Sequence, residues 1–417
     1  MFDFLYAKLV EICRYIKLKT ICVIGLGYIG LPTAVLFALK GFKVSGFDIS
    51  ESIVKKINNG KSHIVEKDLD IALEEVVKNN YLTAKIKPSE SDVYIIAVPT
   101  PHYLKENGIY YPDITHIIDA INSISSLLKK NDLIILESTS PVGTTEKIHK
   151  LILENTELKF DQIHIAYCPE RVLPGNIFSE LRKNDRVIGG LTRKSSEKAR
   201  DLYSHICEGQ FYITNPNTAE MVKLTENAFR DVNIAFANEI SMICNSNNVD
   251  VNELINLSNR HPRVNILNPG CGVGGHCIAI DPWFIASQFP DQTPLIQAAR
   301  NVNTNKTLWV ITEIKKIIKG FLENYKTLPV IGFLGLTYKP NIDDLRESPA
   351  LKIIQSLNSE NYEILLSDPN IKKYKNIVLK DFKEVIANSD LVFILVAHRE
   401  FEVIKFDNKK IFNFSES

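Results

Sequence analysis

The sequence carries no net charge: its 49 Lys and Arg residues are matched by 49 Asp and Glu. That balance excludes a global basic field of the kind that holds nucleic acid or an anionic membrane, so an anionic ligand must be met by local donors. A disulfide rhythm is missing too. The seven cysteines (Cys13, Cys22, Cys168, Cys207, Cys244, Cys271 and Cys277) are an odd number at long intervals, which reads as reduced thiols in a cytosolic protein. Cys271 and Cys277 lie close together, but no second pair and no histidine spacing completes a zinc site, and no metal is expected. No secretory signal is legible, because Met1 to Thr20 mixes Asp3, Lys8, Glu11, Arg14 and Lys17 with apolar residues. The uncharged run Thr20 to Leu39 is long enough to span a bilayer, yet Gly25, Gly27, Gly30 and Pro32 interrupt it. A strand, a glycine turn and a buried helix account for it better. A hydrophobic share of 45% and a charged share of 24% exclude a largely disordered, collagen-like or multi-span membrane chain. The 417 residues suffice for two or three domains with large cores.

Residues 1–19 pattern as a short amphipathic leader, with Phe4, Leu5, Leu9, Ile12 and Ile16 at helical spacing. Ile21–Ile24 then reads as a buried strand, Gly25 to Gly30 as a turn, Leu31 to Lys40 as a helix stopped by Gly41, and Lys43–Phe47 as the next strand. Asp92–Val98 and Asp132–Glu137 are further apolar runs with β-branched residues, and helical patterns intervene near 51–58, 70–78 and 115–129. This alternation implies a parallel sheet covered on both faces. From about 216 to 260 helical periodicity takes over, with Met221, Leu224, Phe229, Val232, Phe236 and Ile240, and a second helical stretch covers about 293–322. Alternation returns at Pro329–Leu334, Tyr362–Leu366 and Leu391–Val396. This last segment echoes the first: Ile331-Gly-Phe-Leu-Gly335 parallels Ile24-Gly-Leu-Gly27, Ser367-Asp368 parallels Phe47-Asp48, and Leu391 to Ala397 parallels Val93 to Ala97.

Gly25-Leu-Gly27-Tyr-Ile-Gly30 follows a strand and opens a helix, and the next strand ends in Asp48, 18 positions after Gly30. In that context it is a dinucleotide fingerprint: Gly25 for the turn, Gly27 for approach of a pyrophosphate, Gly30 for helix–strand packing. The helix N-terminus supplies amide donors, and Asp48 binds ribose hydroxyls, favouring NAD over NADP. The expected architecture is therefore α/β: two Rossmann-like, doubly wound parallel-sheet domains, 20–213 and 323–417, joined by a helical central domain, 214–322.

Three other patterns bear on chemistry. Pro269-Gly-Cys-Gly-Val-Gly-Gly-His-Cys277 exposes backbone amides suited to a phosphate or an oxyanion, and Cys277 reads as opening a helix, where a thiol becomes nucleophilic. From the loop alone, a structural cysteine is an equal reading, and Cys271 is the rival thiol. Asp281, followed by Pro282, also reads as a helix N-cap. Lys223 and Asn227 are four apart and share a helix face able to stabilise an oxyanion. The competing reading is a solvated surface lysine, which the flanking Val222, Leu224 and Phe229 weaken. Glu137-Ser-Thr139-Ser-Pro-Val-Gly143 ends a strand with hydroxyls, Cys168-Pro-Glu170-Arg-Val-Leu-Pro-Gly175 sets an acid in a loop, and Lys339 and Arg346 follow the first strand of the last domain.

Together these residues resemble the nucleotide-sugar 6-dehydrogenase family, the UDP-glucose and GDP-mannose dehydrogenases, from about 20 to 405. The stretches Glu137–Gly143, Pro169–Gly175 and His261-Pro-Arg-Val-Asn-Ile-Leu with the Gly-Val-Gly-Gly-His-Cys run resemble its UDP-N-acetyl-D-mannosamine branch, and Asn341 to Pro349 agrees. The resemblance implies a four-electron oxidation of the sugar C6 alcohol to a carboxylate, with two NAD+ per turnover. It places Cys277 as the nucleophile that forms a thiohemiacetal and then a thioester, Lys223 and Asn227 on the C6 oxygen, Asp281 in proton transfer, and Glu170 and Thr139 at thioester hydrolysis. It further implies NAD contacts from Gly25, Gly27, Tyr28, Ile29, Gly30, Asp48, Thr100, Thr139 and Arg346. UDP-sugar contacts fall to Glu170, Arg171, Val172, Lys223, Asn227, Arg263, Gly274 and Lys339. A cytoplasmic homodimer paired through the central helices is expected, with no nucleic-acid or membrane partner, feeding surface polysaccharide synthesis. The leader is longer than the family suggests, the C-terminus shorter, and Asn413 stands where an Asp is often found, so an altered last strand is expected. UDP-N-acetylglucosamine and UDP-glucose stay open as substrates. A two-electron β-hydroxyacid dehydrogenase and a non-catalytic nucleotide-sugar-binding protein are the more remote readings.

Overall fold

A computed structural model describes residues 19–415 except 65, 67, 107, 108, 173, 174, 359, 361 and 405–409. The amphipathic leader lies outside the described residues, apart from Lys19. Contacts divide the chain into two compact units, Met1–Leu224 and Thr225–Ser417.

Among the described residues the first unit is built on ten strands: β1 Thr20–Ile24, β2 Lys43–Phe47, β3 Leu82–Lys85, β4 Val93–Ile96, β5 His102–Leu104, β6 Tyr110–Pro112, β7 Leu133–Leu136, β8 His164–Tyr167, β9 Arg186–Gly190 and β10 Phe211–Thr214. Between them run α1 Gly30–Leu39, α2 Glu51–Asn58, α3 Leu69–Lys78, α4 Thr115–Ser125, α5 Thr144–Asn155, α6 Ile177–Lys183 and α7 Arg193–Tyr203. Eight strands form one sheet in the order β10-β9-β8-β7-β4-β1-β2-β3, and β5 pairs with β6 as a hairpin. The central strands β4 (Val-Tyr-Ile-Ile) and β7 (Leu-Ile-Ile-Leu) are buried at every position, as strands covered on both faces must be, while β3 at the edge alternates buried and exposed. The pairing is parallel except between β8 and β9, which run antiparallel. The uncharged run from Thr20 resolves into β1 and α1, whose residues Gly30–Ala38 are all buried. Among the described residues no helix is long and apolar enough to cross a membrane.

Helix α8, Pro216–Asn247, contains the boundary between the units. The second unit continues with α9 Val251–Ser258, α10 Asp281–Gln288, α11 Pro294–Tyr325, β11 Val330–Leu334, α12 Pro349–Asn358 and β12 Glu363–Ser367. It ends with the short hairpin strands β13 Lys373–Tyr374 and β14 Ile377–Val378, α13 Phe382–Asn388, β15 Leu391–Ile394 and β16 Ile411–Asn413. Its sheet has the order β12-β11-β15-β16. The last strand is formed in parallel register with β15, Ile394 opposite Asn413, so asparagine at that position does not disturb it. Of the apolar residues whose spacing marks this helix, Phe229 and Phe236 are exposed and Leu224 is buried.

The order β12-β11-β15-β16 repeats β2-β1-β4-β7, and the turns repeat atom for atom. Gly25 N–H donates to Phe47 O at 2.8 Å, and Gly335 N–H to Ser367 O at 2.9 Å. Asp48 accepts from Leu26 N–H and Ser50 N–H, and Asp368 from Leu336 N–H and Asn370 N–H. Gly335 therefore corresponds to Gly25, at φ +88° and +87°, and not to Gly27 as the residue pattern suggests. A pattern of glycines carries no register of its own; the carboxylate that binds the turn does. Two and five positions past Gly335 stand Thr337 and Pro340, so the second turn lacks the glycines that admit a pyrophosphate.

Glycine is required at Gly335, where a Cβ would lie 2.6 Å from Val396 O at positive φ. Gly335→Ala should lower the unfolding free energy by about 1–3 kcal/mol. Gly320 sits inside α11 with nothing within 4 Å of a Cβ, so Gly320→Ala should gain about 0.5–1 kcal/mol. Urea titrations of both variants check the opposite signs.

Candidate active site

In a parallel sheet, the carboxyl ends of the strands share one edge, and the residues just past them collect there. Gly25 follows β1, Asp48 follows β2, Thr100 lies past β4, Thr139 past β7 and Glu170 past β8. The three glycines of the first turn divide their work as the fingerprint requires. A Cβ on Gly25 would meet Ala97 O at 2.7 Å, and one on Gly30 would meet Gly25 O at 1.8 Å. A Cβ on Gly27 would meet nothing within 4 Å, so that position faces open space at the N-terminal end of α1. Tyr28 and Ile29 pack partly buried against the core beneath, and Asp48 is tied to the turn through Leu26 N–H at 3.1 Å. The donor set fits a dinucleotide: backbone amides for its phosphates and a carboxylate one strand over for its ribose. Thr100 Oγ1 donates to Thr139 O at 2.6 Å, joining the loops after β4 and β7.

The first turns of α8 face that edge with charge. Glu220 accepts from Gly143 N–H (2.6 Å), Thr145 N–H (2.8 Å) and Thr145 Oγ1 (2.6 Å), which caps α5 and anchors the Thr139 loop. Burial pushes the Glu220 carboxyl above the usual carboxylate range, against the pull of those donors. One turn on, Lys223 is 4% exposed, and its Nζ donates to Glu170 Oε1 at 2.9 Å. Glu170 Oε2 accepts from Val172 N–H at 3.1 Å. Lys223 is thus no solvated surface lysine: it is a buried ammonium paired with the acid of the Pro169–Gly175 loop.

In the second unit, Asn227 is buried one further turn along α8. Its Nδ2 donates to Asp281 Oδ2, and its Oδ1 accepts from Arg230 Nη2, which fixes which way the amide points. Asp281 is the first residue of α10, one position past its N-cap residue Ile280. Its carboxylate, 2% exposed, meets the Asn227 amide. Cys277 sits one turn ahead of α10 instead of opening it; its carbonyl accepts from Ile280 N–H at 3.0 Å and Asp281 N–H at 2.8 Å. Its side chain is partly exposed. Cys271 is buried, its Sγ lies 3.3 Å from Phe414 O and 3.5 Å from Leu395 O, and burial pushes its thiol up to about 12. A thiol held protonated in an apolar core is a poor nucleophile, which counts against Cys271.

The UDP-glucose/GDP-mannose dehydrogenase family matches along the chain in three parts: its NAD binding domain over residues 19–207, its central domain over 217–305 and its UDP binding domain over 332–414. The chain belongs to the UDP-glucose/GDP-mannose dehydrogenase family. Its cofactor is accordingly NAD. A UDP-N-acetyl-D-mannosamine dehydrogenase of Campylobacter jejuni is 51% identical, covering 95% of this chain and 99% of its own. An NDP-N-acetyl-D-galactosaminuronic acid dehydrogenase of Ralstonia nicotianae is 46% identical over 94% of each. Among solved structures, a UDP-D-ManNAc dehydrogenase from Pyrococcus horikoshii superposes with a TM-score of 0.85 at 38% identity, covering 94% of this chain and 93% of that one.

Other residues expected at the site of this family member are placed as follows. Arg171 donates to Asp185 O at 3.1 Å, and Arg263 is exposed. Arg346 is held by Asp344, whose two oxygens it meets at 2.6–3.0 Å, and Lys339 is half-buried. Gly274 and Gly275 are needed for close packing: a Cβ on either would strike Tyr338 at 2.8 and 2.6 Å, and Gly275 N–H already donates to Arg346 O. Sequence reading passed over Glu220 and Arg230, although both lie on the Lys223–Asn227 helix at one-turn spacing, the signal that would have found them. It also passed over the support under Glu137, which is wholly buried and accepts from Tyr203 Oη at 2.5 Å beside Arg186 at 3.7 Å. Burial raises the Glu137 carboxyl, with the Arg186 charge opposing.

Two outcomes are expected. Brief treatment with iodoacetamide at neutral pH should label Cys277 before Cys22, Cys168 or Cys271, read by peptide mass spectrometry. Lys223→Met alone should cost about 3–5 kcal/mol by stranding the buried Glu170, and Lys223→Met with Glu170→Gln should recover much of it, read by chemical denaturation.

Proposed function

We propose that the protein oxidises UDP-N-acetyl-D-mannosamine at C6 to UDP-N-acetyl-D-mannosaminuronate. The observations that support this are two buried polar pairs, Lys223–Glu170 in the first unit and Asn227–Asp281 in the second, and the partly exposed thiol of Cys277 one turn ahead of Asp281. NAD+, which the Gly25–Gly30 turn and Asp48 would hold, would supply the hydride acceptor for each of two successive oxidations at C6. In our reading Lys223 and Asn227 hold the C6 oxygen and stabilise its negative charge in a site shielded from water. The Cys277 thiolate adds to the C6 aldehyde and keeps it on the protein; after the second hydride leaves, C6 is a thioester. Glu170, Thr139 and Asp281 order the water that attacks this thioester, and the Cys277 thiolate departs as the carboxylate forms. Lys339, Arg346 and Arg263 are our assignments toward the nucleotide end of the ligands. Domain limits at 213 and 322 belong to the same reading, as does a cytoplasmic enzyme serving surface polysaccharide synthesis.

The experiment counts NADH formed per UDP-sugar consumed, with sugar limiting and NAD+ in excess. Two NADH from UDP-N-acetyl-D-mannosamine, and none or far slower reaction with UDP-N-acetylglucosamine, UDP-N-acetylgalactosamine and UDP-glucose, is the expected result. Cys277→Ala should stop the reaction at the aldehyde, and unchanged turnover in that variant would refute the thioester route.

The same reading makes the protein a homodimer through α8. Phe229, Phe236 and Ile243 recur every seven residues and are 67%, 52% and 51% exposed, an apolar stripe along one face of a long helix. A second copy offers the same stripe, so a two-fold pairing buries both. Light scattering should give the mass of two chains, falling to one in Phe236→Asp with Ile243→Asp.

A further inference from the structure

We propose that a polar seam buried between α8 and α11 positions the Cys277 loop, with Asn238 and Thr307 as the residues that grip it. The proposal rests on Cys277 being the nucleophile and adds what holds it in place. Asp231, Asn238 and Ser241 on α8 face Arg300, Asn303, Lys306 and Thr307 on α11, and all are buried. Apolar side chains of similar size would stabilise such an interface at least as well, so polar ones there call for a task.

The seam has a direction. Asp231 only accepts, and its Oδ1 takes Arg300 Nη1 at 2.6 Å and Asn303 Nδ2 at 2.7 Å. That turns the Asn303 carbonyl toward Asn238, whose Nδ2 donates to it at 2.9 Å. The Asn238 carbonyl is then left facing the loop, where it accepts from Gly270 N–H at 2.9 Å. One buried carboxylate so orients two amides in turn and presents an acceptor to a backbone donor seven residues before Cys277. Ser241 Oγ donates to Asn238 O at 2.7 Å and accepts from Lys306 Nζ at 2.8 Å, which braces the backbone behind Asn238.

The next residue of the loop is gripped from α11: Thr307 Oγ1 donates to Cys271 O at 2.8 Å. The fit is close, since a Cβ on Gly272, at φ +128°, would lie 2.4 Å from that same hydroxyl. Gly275 N–H is held by Arg346 O at 3.1 Å. The seam thus fixes residues 270 and 271, Arg346 fixes Gly275, and the short remainder to Cys277 is placed by the two together. None of the seam residues need meet the substrate; they act through the loop.

The test uses full-length Thr307→Val, which removes the donor at constant size, Asn238→Leu, and Thr307→Ser, which keeps a hydroxyl. Cys277 alkylation by iodoacetamide is followed against pH without ligand, and NADH per UDP-sugar is measured beside it. We expect Thr307→Val and Asn238→Leu to move the alkylation rate about tenfold from wild type, the scale of one lost buried hydrogen bond. NADH per sugar should fall below two as aldehyde escapes, and Thr307→Ser should restore both readouts. Seam residues that merely stabilise the fold would lower the melting temperature and leave the alkylation profile of the folded protein unchanged, which overturns the proposal. If Asn238→Leu fails to fold, the isosteric Thr307→Val decides alone. Alkylation that shifts while no UDP-sugar yields NADH, even with wild type, supports the positioning and refutes the assigned reaction instead.

Discussion

The Lys223 ammonium is almost wholly withdrawn from water, and the Glu170 carboxylate at 2.9 Å makes that tolerable. Each charge would be costly to bury alone, so the pair locks the loop after β8 to the helix that carries the lysine. The same helix extends this logic at one-turn intervals. Glu220 takes three donors from the start of α5, and Asn227 takes its orientation from Arg230 and Asp281. α8 therefore carries a row of buried polar side chains, Glu220, Lys223 and Asn227, each completed by a different partner.

The two sheet domains share one device and use it for different ends. A carboxylate at the end of the second strand, Asp48 or Asp368, binds the backbone of the turn after the first. In the first domain the turn goes on to Gly27 and Gly30, and the helix that follows can receive a pyrophosphate at its N-terminus. In the second domain Thr337 and Pro340 take those places. Asp368 is there engaged by His398 at 3.2 Å, and both side chains are fully buried. The His398 Nδ1 accepts from Asn341 N–H at 3.0 Å, so Nε2 is the nitrogen that carries a proton toward Asp368. One topology thus supports a dinucleotide site and, with its glycines replaced and its carboxylate occupied, a different ligand edge.

Burial also sorts the thiols. Cys22 and Cys168 are pushed up to about 11 and Cys271 to about 12, all by loss of solvation. Cys271 and Cys277 stand in the same glycine-rich run, yet the first is buried and the second partly exposed. Tyr338 and Thr307 close on the glycines from either side and leave no room for a side chain there.

Much of this was legible in the chain itself. Strand–helix alternation, the Gly25–Gly30 turn with Asp48, and the four-residue step from Lys223 to Asn227 are local patterns whose periods and spacings are physical consequences of strand and helix geometry. They sufficed for two α/β domains about a helical centre and for the nucleotide edge of the first. Tertiary structure alone settled the rest. Phe229 and Phe236 fall at helical spacing and are exposed, because periodicity names a face and not what covers it. Asp281 reads as a cap and serves Asn227, 54 residues away; Glu170 meets Lys223 across 53 residues. Gly335 matches Gly25 only once Asp368 is seen to bind its turn. Partners brought together by folding over such separations leave no local spacing in a single sequence, and the pairing that makes a buried charge stable is decided in space.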